Sequence, residues 1–214
     1  MRTISEIYKN YKIPPTLQMH MLRVAAVAAM ICDNWQGDTI DKNKIVTVCL
    51  LHDMGNILKF KFDVFPDMFE PEGVEYWQAV QGEYREKYGE NEHNATIQII
   101  RELGLAEEIG ALADQNHFTL LCEHAASDDV LLKIMHHADM RVNPFGIVSY
   151  EERMEEARRR YAGRSGFDNL ERQHLVDCGK EIENQIFAKC NIKPEDINDA
   201  TAAPYIEELK NFEI

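Results

Sequence analysis

An adjacent histidine and aspartate, His52 and Asp53, close an apolar run that starts near Ile45. An imidazole and a carboxylate are rarely left inside such a run unless something pairs them. A metal ion can hold both side chains at once and offset the desolvation of each. A helix-end histidine beside an aspartate cap explains the pair equally well, so the pair alone leaves both interpretations open.

Four more candidate ligands lie far apart along the chain: His20, His93, His117 and Asp139. Iron and manganese accept mixed imidazole and carboxylate ligands, and four histidines with two aspartates suffice for two ions if one carboxylate bridges them. No two histidines have the His-x-x-x-His spacing that places both on one face of a helix. A metal site would therefore have to be assembled from sequence-distant segments.

The segments that must position these residues are predicted to be helical almost throughout, and strand patterns are nearly absent. Apolar residues at three- and four-residue spacing predict helices over 14–35, 42–53, 74–88, 92–103, 105–117, 130–139, 150–161 and 168–191, with a short helix after Pro204. The segment from Gly55 to Gly73 is predicted to be a long loop, which in a compact domain is usually functional or a lid. The candidate ligands lie in or at the ends of five of these helices, and helix ends converge in an all-α bundle.

Composition indicates a compact protein with a sizeable core, since its 214 residues are 45% hydrophobic and 28% charged. No stretch approaches the roughly 20 apolar residues of a membrane span, and the N-terminus is too polar for a secretory signal. We therefore expect a cytoplasmic protein with no membrane partner. The five cysteines lack C-x-x-C spacing and predict reduced, mostly buried thiols rather than a zinc finger or a disulfide framework: Cys32, Cys49, Cys122, Cys178 and Cys190.

The formal net charge of −14 opposes extended binding to nucleic acid or to anionic lipid, because a phosphate polyanion would be repelled by the mean field. A phosphorylated ligand would have to be met locally, and a cationic metal centre can do that. The acidity also has a simpler explanation, which is that it keeps the protein in solution.

Taken in order, these residues resemble the HD-domain superfamily of metal-dependent phosphohydrolases. The segment that starts at His20 resembles the family's first motif, Leu50 to Gly55 its namesake motif, and Ala138 to Arg141 its closing aspartate. The segment from His93 to Leu105 is similar to the extra histidine helix of members that bind two metals. Together these motifs cover roughly Pro14 to Tyr161, and several motifs in the family's order are far more specific than any one of them.

The resemblance implies an all-α, HD-domain-like helical bundle that binds one or two divalent transition metal ions, iron or manganese. It implies that a first ion is held by His20, His52, Asp53 and Asp139. A second ion would be held by His93 and His117, with Asp53 bridging the two and therefore central to catalysis. Residues 1–165 are expected to form the metal-binding domain, and residues 166–214 a C-terminal helical extension that packs on it.

The chain departs from the family three residues after Asp53. Several phosphodiesterase members carry lysine there and nucleotidase members often carry glutamate, whereas this chain has Asn56. Asparagine can orient a water or a phosphate oxygen but cannot act as a general base or a fixed cation. Lys59 and Arg141 are the candidates to supply the missing cation to a phosphate, although a solvated lysine and a structural arginine ion pair explain them as well.

These observations predict an enzyme, a metal-dependent phosphohydrolase. Its expected substrate is a small phosphorylated metabolite or nucleotide, whose phosphomonoester, phosphodiester or phosphoanhydride bond is hydrolysed by a metal-activated water. Two alternatives remain, an HD-fold di-iron oxygenase with the same ligand order and a sensor module that binds metal or nucleotide with little turnover. The helices after Gly166 can brace the bundle, cover the pocket or form a homodimer interface.

Overall fold

The computed structural model describes residues 1–63, 69–160 and 170–214, and these are almost entirely helical. Their helices are α1 (Ile4–Asn10), α2 (Pro15–Asp33), α3 (Lys42–Leu51), α4 (Val74–Tyr88), α5 (Glu92–Glu102), α6 (Glu107–Asp114), α7 (Leu121–Ala126), α8 (Val130–Asp139), α9 (Tyr150–Arg160), α10 (Leu170–Phe187) and α11 (Asp199–Leu209). Short 3₁₀ helices cover Asn56–Lys59, Phe118–Leu120 and Pro194–Asp196. A small hairpin of β1 (Val142–Asn143) and β2 (Gly146–Ile147) pairs Val142 with Ile147 and Asn143 with Gly146. The all-α prediction is confirmed.

Helix α2 is the centre of the bundle and packs against α3, α8 and α11. It starts at Pro15, whose fixed φ suits the first position of a helix. Its buried alanines, from Ala25 to Ala29, let the neighbouring helices approach closely. By length and composition α2 could cross a membrane, but 61% of its apolar window is buried inside the fold, as in a core helix.

Side-chain caps fix where three of the site-bearing helices begin. Asp41, Asn91 and Asp129 each accept a hydrogen bond from the backbone N–H three residues further on. Such a cap satisfies one of the otherwise unpaired donors of a helix start, and its loss typically costs about 1 kcal/mol. By fixing where α3, α5 and α8 begin, the caps also fix where each helix places the candidate ligands that it carries.

Two helices end earlier than predicted, and both differences matter for the site. Helix α3 ends at Leu51, so His52 lies at its C-cap rather than inside it. The predicted helix over 105–117 ends at Asp114, and His117 adopts an extended conformation with φ −113° and ψ 130°. His117 is therefore presented from a loop, which helical periodicity cannot predict.

Three other differences involve short elements. Helices α1 and α7, with 7 and 6 residues, were not predicted because they are too short to show a helical period. Helix α11 begins at Asp199, before Pro204, because the side chain of Asn198 caps it.

The predicted loop from Gly55 to Gly73 is partly ordered into other structure. Residues 64–68 lie outside the described residues, while Asn56–Lys59 forms a 3₁₀ helix. Phe62 and Phe69 are buried, with ring centroids 4.8 Å apart. The described parts of this segment therefore fold onto the core.

The C-terminal helices pack on the same bundle. Helix α10 contacts α7 and α8, and α11 contacts α2. The predicted boundary at residue 165 and the predicted helix ends at residues 161 and 168 lie outside the described residues. The division into residues 1–165 and 166–214 stays a prediction.

The expectation of reduced cysteines is wrong for one pair. Cys122 in α7 and Cys178 in α10 form a disulfide, with Cα atoms 5.0 Å apart and a sequence separation of 56. Their pairing depends on the packing of α7 against α10, which sequence spacing does not report. Cys32, Cys49 and Cys190 are free thiols, as expected.

Candidate metal centre

Three of the predicted ligands meet where α2, α3 and α8 pack together. One donor atom from each of His20, His52 and Asp139 lies within 4.8 Å of the other two. His20 Nε2 is 3.2 Å from Asp139 Oδ1, and His52 Nε2 is 3.7 Å from the same oxygen. Ligand atoms bound at about 2.1 Å to one ion are separated by roughly 3 to 3.5 Å, so this spacing suits a single cation.

Asp53 joins the same cluster. Its Oδ2 lies 3.5 Å from His20 Nε2 and 3.6 Å from His52 Nε2. The four residues that the family resemblance assigns to a first metal are therefore brought together. His52 is nearly inaccessible, with 1% of its side chain exposed, whereas about a fifth of His20, Asp53 and Asp139 is exposed. The cluster has a buried floor and an accessible side.

Neighbouring groups hold two of these ligands in a metal-binding orientation. The Cys49 carbonyl, 2.8 Å from His52 Nδ1, accepts a hydrogen bond from that nitrogen and leaves the Nε2 lone pair free. His52 Nε2 is buried and has no hydrogen-bond partner among the described residues. Asn116 Nδ2 donates to Asp139 Oδ2 at 3.1 Å, which leaves Oδ1 toward the histidines. A cation at this point would satisfy the buried nitrogen, so the residues fit a metal.

The cluster is strongly polarised. Burial opposes protonation of His52, but the carboxylates of Asp53 and Asp139 outweigh it and raise the pKa of His52 to about 9. Burial likewise opposes ionisation of Asp139, but the neighbouring imidazoles of His20 and His52 keep its pKa well below the usual range. A bound cation would take over the role of the proton on His52, because a metal-binding histidine must be neutral.

His93 and His117, the two residues assigned to a second metal, also meet. Their ring centroids are 4.1 Å apart, although His93 comes from the first turn of α5 and His117 from the loop after α6. Burial, with His117 and Lys59 nearby, lowers the pKa of His93 and keeps its ring in the neutral form that binds metals. The bridging role of Asp53 stays a prediction.

Glu92 is a residue of this region that the sequence reasoning missed. Its Oε1 lies 3.2 Å from His93 Nε2 and 2.5 Å from Lys59 Nζ. The available signal was a carboxylate directly before a candidate ligand in the chain. Lys59 is thus held beside His93. Asn56 begins the 3₁₀ helix, and its backbone N–H donates to the Asp53 carbonyl.

Arg141 makes different contacts from those predicted. Its guanidinium donates to the carbonyls of Val148, Pro194 and Ile197, and its side chain is buried. These partners belong to β2–α9 and α10–α11 connections rather than to the His/Asp cluster. The phosphate contact predicted for Arg141 therefore has no support in its described contacts.

Gly55, two residues after Asp53, allows the first turn of α5 to pack closely against this part of the chain. A Cβ atom at this position would be 2.2 Å from the Glu92 carbonyl oxygen and 2.8 Å from Ala95 Cβ. A backbone atom cannot move aside as the end of a flexible side chain can. Gly55→Ala is therefore expected to lower the free energy of unfolding by about 3 kcal/mol, at the upper end of the range for overpacking. The same shift would separate Glu92 and His93 from Asp53.

Thermal or urea unfolding measures this effect. Gly82→Ala is the matched control, because a Cβ there meets nothing within 4 Å. Equal stability of the Gly55 and Gly82 variants would contradict the close approach.

A second histidine pair lies in the core beside the cluster. His136 Nδ1 is 3.0 Å from His124 Nδ1, so one ring donates and the other accepts. Both residues are buried, and burial lowers the pKa of His136 to about 4 and also lowers that of His124. This geometry suits neutral, packed side chains.

This pair predicts an acid-sensitive fold. Between about pH 6.5 and pH 4 the unfolded chain protonates His136 while the folded chain does not, so stability is lost as the pH falls. For His136 the loss is about 3 kcal/mol across that window. The raised pKa of His52 affects stability above this pH window, and the lowered pKa of Asp139 affects it below. Urea unfolding in a chelator, for the wild type and His136→Phe, should show a flatter pH profile for the variant; parallel profiles would contradict the assignment.

One further group of potential ligands occurs in the described residues: Cys122, His174 and Cys178. Its two sulfur atoms are bonded to each other in the disulfide, which leaves His174 as the sole free donor. The His/Asp cluster is therefore the better candidate for a metal.

Together, the fold and this cluster define a helical domain built around a candidate His/Asp metal centre. The family described as HD domain matches residues 17–144, more than half of the chain, and the protein belongs to that family. No curated protein and no solved structure shows significant similarity to the chain. HD-domain proteins are generally metal-dependent phosphohydrolases, so membership supports the metal site and the general class of chemistry.

Proposed function

We propose that this protein is a metal-dependent phosphohydrolase that acts on a small phosphorylated metabolite or nucleotide. The observation that carries the proposal is the convergence of His20, His52 and Asp139, with Asp53 within 3.6 Å of both histidines. A divalent cation bound there would supply Lewis-acid activation of a phosphoryl group and of the attacking water. Iron and manganese suit this mixed imidazole and carboxylate donor set.

The surrounding residues support hydrolysis by holding the ligands in place. His52 is fixed by the Cys49 carbonyl and Asp139 by Asn116, so neither ligand has to reorganise when the substrate binds. Lys59 is half exposed and is held by Glu92 beside His93, where its ammonium group can meet a phosphate oxygen. Lys59 can in this way supply the positive charge that the neutral side chain of Asn56 does not carry.

The overall charge restricts the substrate. A chain with a net charge of −14 attracts a phosphate only where cations are concentrated, which favours a small substrate over a polymer. We therefore propose no extended nucleic-acid partner. We also propose that the protein is cytoplasmic, that it forms a homodimer and that Asp53 takes part in catalysis.

Glu92 is proposed to complete the second ion's ligand set, because a cation on His93 Nε2 would also lie within reach of Glu92 Oε1. Glu92→Gln is expected to weaken binding of the second ion by about 10-fold or more while the first ion stays bound. Metal titration followed by elemental analysis measures both. Glu90→Gln, an exposed change two residues away, is the control. Retention of two ions with wild-type affinity would contradict this role.

The test of the proposed activity is a panel of phosphomonoesters, phosphodiesters and nucleotides assayed with Mn²⁺ under anaerobic conditions. Protein purified without chelators is expected to release phosphate or a nucleotide product, and the Asp53→Asn variant serves as the blank. No release above that blank would contradict the proposal. Oxygen consumption with Fe²⁺ would instead indicate the oxygenase chemistry that shares this ligand order, and a loaded but inert protein would indicate a sensor.

A further inference from the structure

A group of potential metal ligands separate from the His/Asp cluster lies where α7 packs against α10. It consists of Cys122, His174 and Cys178, and one donor atom from each lies within 4.8 Å of the other two. His174 is exposed and both cysteines are partly exposed, so the group lies at the surface. It shares no residue with the His/Asp cluster, and a role for it is therefore independent of the proposed hydrolysis.

The packing of α7 on α10 brings the three donors to one point. His174 and Cys178 are four residues apart in α10, and residues at this spacing are neighbours on the surface of a helix. Cys122 lies in the first turn of α7, and its Sγ is 3.8 Å from the His174 carbonyl oxygen. One helix thus supplies two ligands, and its neighbour supplies the third.

The two sulfur atoms are joined in the disulfide, so the group can hold a metal only after reduction. A dithiol reductant supplies two electrons and two protons: the S–S bond breaks, both cysteines become thiols, and the reductant becomes a disulfide. A divalent ion then displaces one proton from each thiol, because the thiolate is the form that binds metals. The charge of two thiolates balances that of one divalent ion.

The spacing of the two cysteines suits zinc. Two thiolates held about 2.3 Å from one zinc ion in a tetrahedral arrangement lie roughly 3.7 Å apart. The Cα atoms of Cys122 and Cys178 are 5.0 Å apart, and rotation about their Cα–Cβ bonds can present the sulfurs at that separation. Thiolates with an imidazole favour zinc, whereas manganese prefers oxygen ligands. This donor set therefore differs from that of the His/Asp cluster.

Contacts other than the disulfide hold α7 in place. Leu121 is buried in the core, and His124 Nδ1 lies 3.0 Å from His136 Nδ1 in α8. Gln185 of α10 donates from Nε2 to the Ala125 carbonyl at 3.2 Å. The three ligands are therefore expected to stay close together after the S–S bond is broken.

We propose that Cys122, His174 and Cys178 form a redox-controlled zinc site, which binds Zn²⁺ in the reduced protein and releases it when the disulfide forms. Both states use the same two sulfur atoms, so the ion and the disulfide exclude each other. When an oxidant takes two electrons from the bound thiolates, the S–S bond forms and the ion leaves. The site connects thiol oxidation to the release of zinc.

Cobalt titration of the wild-type protein tests the proposal without any substitution. The protein is reduced with dithiothreitol, the reductant is removed under anaerobic conditions, and Co²⁺ is added to reduced and to oxidised samples. Cobalt bound by thiolate shows a sulfur-to-metal charge-transfer absorption that a site of histidines and aspartates lacks. The reduced protein is expected to show this absorption, and the oxidised protein is not. A reduced, helical protein without the absorption would overturn the proposal, as would loss of the helical fold on reduction.

Oxidation of the zinc-loaded protein gives a second readout. A two-electron thiol oxidant such as diamide should release zinc to a coloured chelator as Cys122 and Cys178 become joined, which peptide mass spectrometry detects. Formation of the disulfide while this zinc stays bound would contradict the exclusion of one state by the other.

Single substitutions locate the ion, with the affinity of the reduced protein read from the charge-transfer absorption. Cys122→Ser, Cys178→Ser and His174→Gln should each weaken binding by at least the roughly 10-fold that loss of an outer-shell partner typically costs. Cys190→Ser is the matched control, because Cys190 is a partly exposed free thiol outside the group, and it should bind normally. Wild-type affinity in either Cys122→Ser or Cys178→Ser would contradict the location, and wild-type affinity in His174→Gln would contradict the three-ligand site.

Discussion

Replacing Asp53 with asparagine is expected to abolish phosphohydrolase activity while the helical fold is retained. Asp53 Oδ2 lies within 3.6 Å of both His20 and His52, and asparagine keeps the shape but removes the charge that a cation needs. Asparagine oxygen is also a weaker ligand for iron or manganese than a carboxylate. We expect a loss in kcat of roughly 10³-fold or more, which corresponds to about 4 kcal/mol of transition-state stabilisation.

Three measurements check this prediction: turnover of the best substrate from the panel, metal content, and helical content by circular dichroism. Asp33→Asn is the matched control, because Asp33 pairs with Lys42 on the surface. The control should keep metal and activity. Wild-type activity in Asp53→Asn would contradict the central role of this carboxylate, whatever its effect on stability.

The second large effect is expected at the His93 and His117 pair. His93→Gln and His117→Gln should each remove one bound ion and leave the ion held by His20, His52 and Asp139. The two ring centroids lie 4.1 Å apart, so both histidines can contribute to one site, and loss of either removes one of its few ligands. Activity should fall by about 100-fold, because a single ion can still activate water without a second ion to stabilise the leaving oxygen.

Elemental analysis of the variants and of the wild type gives the result directly. His174→Gln, on the exposed face of α10, is the control and should keep both ions. A wild-type protein that holds one ion, or variants that lose every ion, would contradict separate binding by the two groups. The first outcome would still allow hydrolysis at a single-metal centre.

The sequence predicted the site because its ligands follow helices with clear periodicity. His20 lies one turn into α2, His52 at the end of α3 and Asp139 at the end of α8, and these helices pack directly on one another. The helical class followed from the same periodicity. His117 was also identified as a candidate, although its helix ends three residues earlier and a loop presents it instead.

Contacts between distant segments could not be predicted. The pairing of Cys122 with Cys178 depends on the packing of α7 against α10. Arg141 was expected near a phosphate because it is two residues from Asp139, but on a helix end that spacing turns its side chain to another face. Sequence spacing gives the position of a residue along a helix. The contacts of its side chain depend on which distant segment of the chain packs against that position.

Anomalous diffraction from crystals grown without chelators shows whether the His/Asp cluster binds a metal. We expect a peak at a transition-metal edge about 2.0 to 2.3 Å from His20 Nε2, His52 Nε2, Asp139 and Asp53. The absence of a peak among these four residues in protein supplied with manganese and iron would contradict it. So would a peak found only at another group, such as His174 with Cys122 and Cys178.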